Sequence, residues 1–233
     1  AVMLVAALLA VTAASPVREL RPVIHVTEIG ERAEITLADG SRIHLNTDTK
    51  IEILFSPQAR RLHLVSGQAL FEVAPGPRPF IVEAGETETI AHGTIFDIYR
   101  RDEGVRIALR EGAVSVSQNH TAPIRLQPGQ QALARPGQPH EVTGIDPARI
   151  GQWQSGTLAF DNVTLAEAVA EMNRYATTRI EIADPALAAE RISGVFPAGE
   201  QDAFAEALTL YLPLTAERRA DRIVLIRADA PPD

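Results

Sequence analysis

From Thr27 to Gly144 no stretch of ten residues keeps the 3.6-residue apolar period of a helix, whereas short segments alternate apolar with polar side chains almost throughout. A period of two turns successive side chains to opposite faces, so this region reads as all-β. Thr27–Leu37 runs to Ala38-Asp39-Gly40-Ser41, where Asp-Gly signals a tight turn. Arg42–Asn46 and Lys50–Phe55 resume the alternation, and Leu62, Leu64, Leu70, Phe71, Val73, Phe80, Val82, Phe96, Ile98, Ile107, Leu109, Val114 and Val116 carry it on as a candidate core. Five of these segments open on glycine, at Gly40, Gly67, Gly93, Gly112 and Gly129, spaced 17 to 27 residues apart. Two architectures fit that spacing: a solenoid-like stack with glycine at each corner, or a β-sandwich with ordinary glycine turns. Within Leu64–Gly85, Pro75, Pro77 and Pro79 forbid strand pairing and mark a stiff corner of the scaffold.

Prolines and glycines gather between Leu126 and Pro147, and the texture then changes. Thr164-Leu-Ala-Glu167 is a capping box, and Leu165, Val169, Met172 and Tyr175 lie on one face of a helix ending near Ala176. Strands are expected at Arg179–Ala183 and Arg191–Phe196, a second helix over about Asp202–Leu212, and two last strands at Leu214–Arg218 and Arg222–Arg227. The order β-α-β-β-α-β-β makes a small α+β unit. Its sheet, with helices on one face, leaves edges on which a partner strand can pair. Leu158, Ala159 and Phe160 on the first strand, and Ile223, Val224 and Leu225 on the last, are the candidate partner-binding residues. The chain thus divides into an apolar segment (1–14), a linker (15–26), an all-β domain (27–146), an α+β domain (147–228) and a tail (229–233).

The first fourteen residues carry no charge, yet they fall short of the about 20 needed to span a bilayer. They suit either a signal-peptide core with a cleavage site near Ala14, or the outer half of a membrane helix whose remainder lies upstream. With no initiator Met and no basic region before them, truncation of a membrane helix is the expectation. Both readings place the rest of the chain beyond a membrane.

Composition narrows the chemistry. A net charge of −8 opposes a phosphate-tracking surface, so no nucleic-acid partner is expected. The absence of cysteine excludes disulfides, thiolate metal sites and a Cys nucleophile. Six histidines are scattered, none at helical i, i+4 spacing from another, although His44 and His63 could meet across a sheet. Glu83, Glu86, Glu88 and Asp97 fall in the strand region, but a chain with one Trp and 5% aromatics offers few platforms for saccharides. No nucleophile elbow, Walker loop or dinucleotide fingerprint occurs. No catalytic, cofactor or metal residue is assigned.

The ordered series Asp39-Gly40-Ser41 with Leu45-Asn46, Gly67 through Val73, Pro79-Phe80-Ile81-Val82, Gly93-Thr94-Ile95-Phe96-Asp97-Ile98 and a final strand pair at Gly112 resembles the FecR family of membrane-anchored anti-sigma regulators. Ile107-Ala108-Leu109-Arg110 stands where that pattern has valines. The C-terminal part, from Gly156 through Leu212, is similar to the secretin/TonB short N-terminal fold found at the end of these regulators. The resemblance implies a single-pass inner-membrane protein lying mostly in the periplasm. Its expected partners are the signalling domain of a TonB-dependent outer-membrane receptor, periplasmic and intramembrane proteases, and an extracytoplasmic-function sigma factor bound through a cytoplasmic region absent here. Ferric-siderophore signals would pass along that route. A cell-envelope structural or secretion component is the alternative, and a saccharide-binding or saccharide-active β protein the more remote one.

Overall fold

The computed structural model describes residues 21–119 and 121–228. The apolar segment 1–14, the first half of the linker, the tail and His120 lie outside the described residues. Among those described, no helix is long and apolar enough to cross a membrane.

Thirteen strands form the first part: β1 (Val23–Val26), β2 (Ala33–Thr36), β3 (Arg42–Leu45), β4 (Lys50–Phe55), β5 (Arg60–Glu72), β6 (Phe80–Ala84), β7 (Thr87–Ala91), β8 (Ile95–Arg101), β9 (Gly104–Glu111), β10 (Val114–Gln118), β11 (Ile124–Leu126), β12 (Gln130–Ala134) and β13 (Glu141–Gly144). One layer runs β1-β4-β5-β6-β7-β10-β11 and the other β2-β3-β5-β8-β9-β12-β13. The long β5 belongs to both. Its Arg60–Ser66 half pairs with β4 and β6, and its Gly67–Glu72 half with β3 and β8. This is the sandwich rather than the solenoid, closed on one side by a shared, bent strand. The bend falls at Gly67, whose φ is +82° and whose missing Cβ would stand 2.3 Å from Thr49 Oγ1. Only glycine meets both conditions. β1 occupies part of the stretch expected to be linker, as an edge strand with Val23, Ile24 and Val26 exposed.

Inward faces of both layers share one core. Phe71 stacks on Phe96 at 5.0 Å and meets Phe80 edge-on at 6.0 Å, joining the second layer to the first. The proline corner after β5 is a crossover, because β6 returns parallel to the first half of β5. Arg60, 2% exposed, pins that crossover. Its guanidinium donates to Ala74 O at 2.9 Å, to Arg78 O at 2.8 and 3.1 Å and to Asp39 Oδ2 at 2.6 Å.

After two 3-10 turns, Pro147–Arg149 and Gln152–Ser155, the chain enters the α+β unit. There β14 (Thr157–Thr164) pairs antiparallel with β16 (Arg191–Pro197), while β15 (Arg179–Ile182) and β17 (Leu214–Arg218) flank β18 (Arg222–Arg227). The strand order expected from the sequence is present, but in two small sheets instead of one. Helices α1 (Leu165–Met172) and α3 (Gln201–Tyr211) share a core with both sheets, and α2 (Pro185–Ala188) is a single turn. Phe160, Phe196 and Phe204 close that core with ring centroids 4.8 to 6.1 Å apart. The capping box is formed as anticipated: Glu167 N–H donates to Thr164 Oγ1 at 3.2 Å and Thr164 N–H to Glu167 Oε2 at 2.8 Å. α1 ends at Met172, four residues early, and the side chain of its C-cap, Asn173, hydrogen-bonds Ile180 N–H and C=O on β15. Tyr175 is thereby released from the helix toward the β layers.

Candidate functional site: the cleft between the two cores

A sandwich layer normally shows water its outer face, but here part of the outer face of the second layer is covered. On β8 the period of two aims Asp97, Tyr99 and Arg101 outward, on β9 Arg106 and Ala108, and on β5 Gln68 and Leu70. The connector, far from being a free linker, lays Ile150 and Trp153 against Leu70 and Ala108 as a third small core. The C-terminal end of α1 adds Glu171 and Arg174. Between these walls and β14 opens a cleft of about 510 Å³.

Its floor is a buried polar network tying the two parts together. Asp97, 2% exposed, accepts from Trp153 Nε1 at 2.9 Å and from Gln68 Nε2 at 2.9 and 3.1 Å. Burial, the largest influence, pushes its carboxyl above the ordinary Asp range, against the pull of Arg106, Trp153, Gln68 and Arg174. Gln68 Oε1 in turn accepts from Asn46 Nδ2 at 2.9 Å and from Arg174 at 3.0 Å. Asn46 also donates to Tyr175 Oη at 2.7 Å, and Thr47 Oγ1 to Arg174 O at 3.0 Å. Burial pushes the Tyr175 phenol up to about 12, so it stays neutral. At the rim, the Tyr99 ring is met by Arg174 at 3.9 Å, Arg101 at 4.3 Å and Arg106 at 5.6 Å.

The six sequence-predicted contact residues do not form one site. Leu158, Ala159 and Phe160 line the cleft, with Leu158 buried and Ala159 exposed. Ile223, Val224 and Leu225 sit on β18, the centre of the other sheet, 2%, 5% and 0% exposed. Because β18 is paired on both sides, a partner strand cannot add at Val224, and the expectation of a free edge there is corrected. Among the described residues no three His, Asp or Glu converge as a metal cage. His44 and His63 lie in different layers, each beside glutamates: Glu34 and Glu72 for the first, Glu52 for the second. Glu83 and Glu88 flank Arg61 on the first layer, remote in the fold from Asp97 on the second. Sequence reasoning missed Arg106, Trp153 and Arg174 as site residues. The available signals were the chain's one Trp, at the start of the α+β unit, and a carboxylate between Phe96 and Ile98 in an apolar strand.

Two β layers, a packed connector and a helix-filled α+β unit thus meet around one buried polar junction. Residues 24–115 match the model of the FecR protein family. Two crystal structures of a candidate anti-sigma factor from Parabacteroides distasonis ATCC 8503, at 1.65 and 2.50 Å resolution, share the fold. Their TM-scores are 0.76 and 0.75 at 23% identity, over 88% of this chain and 99% of theirs. No curated protein matches the chain.

Proposed function

We propose that the chain is the periplasmic regulatory part of an inner-membrane anti-sigma regulator, which receives its signal by strand addition to the α+β unit. One observation carries the contact: among the described residues the β14–β16 ribbon has no third strand, so both of its outer edges are open. The bond from Ala198 N–H to Gly156 O at 2.9 Å sets the ladder's alternation. Leu158 and Phe160 on β14, and Gly194 and Phe196 on β16, turn their backbone groups inward. Ala159 and Val195 therefore turn theirs outward, and both side chains are exposed. The family match and the shared fold support the anti-sigma assignment. The resemblance of the C-terminal part to the secretin/TonB short N-terminal fold at the end of such regulators favours the signalling domain of a TonB-dependent receptor as the strand donor. Loading of that receptor with a ferric ligand would then alter protease access and free an extracytoplasmic-function sigma factor. The protein acts in this scheme by contact and not as an enzyme.

Proline at an outward-facing position removes a donor from the free edge without touching the ribbon's own ladder. Isothermal titration of the whole chain against a cognate receptor's signalling domain should show at least about tenfold weaker binding for Ala159→Pro or Val195→Pro, whichever edge is used. Wild-type affinity in both variants, each folded by circular dichroism, would exclude strand addition on this ribbon.

A further inference from the structure

We propose that the cleft between the two cores is a binding site for a small carboxylate carrying an apolar body, with Arg106 and Arg101 as its anion hold. The inference stands on the cleft's own charge pattern and does not depend on the strand-addition reading above. Four arginines line the cleft, and two are already committed. Arg149 pairs with Asp161 at 2.7 Å, and Arg174 is held by Glu171 and by Gln68 Oε1 at 3.0 Å. The carboxylates are committed as well. Glu167 is engaged in the capping box, Asp97 is occupied by Trp153 and Gln68, and Glu171 is shared between Arg174 and Arg101.

Arg106 is what remains. Among the described residues its side chain makes no hydrogen bond; its Nε is enclosed without an acceptor, and the nearest carboxylate, Asp97 Oδ1, is 3.9 Å away. Arg101 beside it has only long contacts, to Glu103 at 3.4 Å and Glu171 at 3.7 Å. Both guanidinium groups approach the same Tyr99 ring, 4.3 and 5.6 Å from its centroid. A guanidinium pair short of acceptors is matched by a carboxylate, which accepts two N–H bonds in its plane. Phe160 and Val163 of β14 and Ala170 of α1 line the same cleft and supply its apolar surface. The volume of about 510 Å³ is ample for a small organic acid.

Trp153, the chain's one tryptophan, lines this cleft and is its built-in reporter. The whole chain is titrated with 3-phenylpropionate and, in parallel, with 3-phenylpropylamine, which has a similar body and the opposite charge. A saturable change in Trp153 emission is expected from the acid and not from the amine. Affinity for the acid should fall at least about tenfold in Arg106→Gln, and by a smaller factor in Arg101→Gln. Arg101 sits at a more exposed strand end, so its variant keeps the test decisive if Arg106→Gln fails to fold. The proposal is overturned by an equal response to the amine, by no saturation with the acid up to its solubility limit, or by wild-type affinity in the folded variants.

Discussion

Replacing Asp39 by Ala should unsettle the β layers more than a turn residue ordinarily would. Asp39 stands in the Asp-Gly turn, yet its Oδ2 takes 2.6 Å contact from Arg60, a guanidinium only 2% exposed. It also accepts from Ser41 N–H at 3.1 Å and Ser41 Oγ at 2.8 Å. Without the carboxylate, Arg60 keeps its bonds to Ala74 O and Arg78 O but loses the only counter-charge it has among the described residues. Breaking a buried pair from one side costs about 3–5 kcal/mol. At this chain length, that corresponds to a fall in Tm of roughly 6–20 °C. Arg60→Met removes the charge itself, so the double variant Asp39→Ala/Arg60→Met should lose less than the sum of the two single changes, by about 1 kcal/mol or more. pH provides a second reading. Burial pushes the Asp39 carboxyl up, but the Arg60 and Ser41 bonds outweigh it and hold the folded value below the ordinary 3.8. A depressed carboxyl lends stability that is present above its unfolded value and lost as pH falls through the folded one. Wild type should therefore lose this increment below about pH 3.8, and Asp39→Ala should lack it. Thermal melts followed by far-ultraviolet circular dichroism, across pH, measure both. A drop in Tm under about 3 °C for Asp39→Ala, or strict additivity in the cycle, would refute the argument that Arg60 is a buried charge needing its partner.

Two further changes probe the bend and the junction. Gly67→Ala forces a Cβ to within 2.3 Å of Thr49 Oγ1 at φ +82°, and should cost at least about 1–3 kcal/mol; an unchanged Tm would show that β5 does not need its glycine. Tyr175→Phe removes the acceptor of the 2.7 Å bond from Asn46 and should lower stability by about 1–2 kcal/mol at neutral pH. The phenol's folded value of about 12 lies above the ordinary 10, so wild type retains this contribution below pH 10 and loses it as pH rises toward 12. The difference between wild type and Tyr175→Phe should shrink over that interval in denaturant titrations, and a constant difference would count against the buried phenol.

Much of the local structure was legible in the chain because it depends on neighbours in sequence. The period of two marked the strands of the β layers, and the capping box marked the start of α1. The last two strands, Leu214–Arg218 and Arg222–Arg227, lie where the sequence reading places them. The glycine corners share one backbone cause, since Gly40, Gly67, Gly93, Gly112 and Gly129 all have φ between +81° and +87°. Ile223-Val224-Leu225 held a clue that went unused. Three consecutive apolar residues suit a strand covered on both faces, which is a central strand and not a docking edge.

The sequence by itself determined which segments are strands or helices, where the backbone must turn on glycine, and the FecR-type order of motifs. Only the tertiary structure decided that β5 serves two layers, that β6 returns parallel to it, and that the connector is packed instead of loose. It alone joined Gln68, Asp97, Arg106, Trp153 and Arg174 into one cleft. The physical reason is range: turn preference and side-chain alternation act over a few residues, whereas Trp153 Nε1 meets Asp97 Oδ2 across 56 residues and Arg174 meets Gln68 across 106. Such contacts exist only once two cores have formed and their uncovered polar faces have found each other.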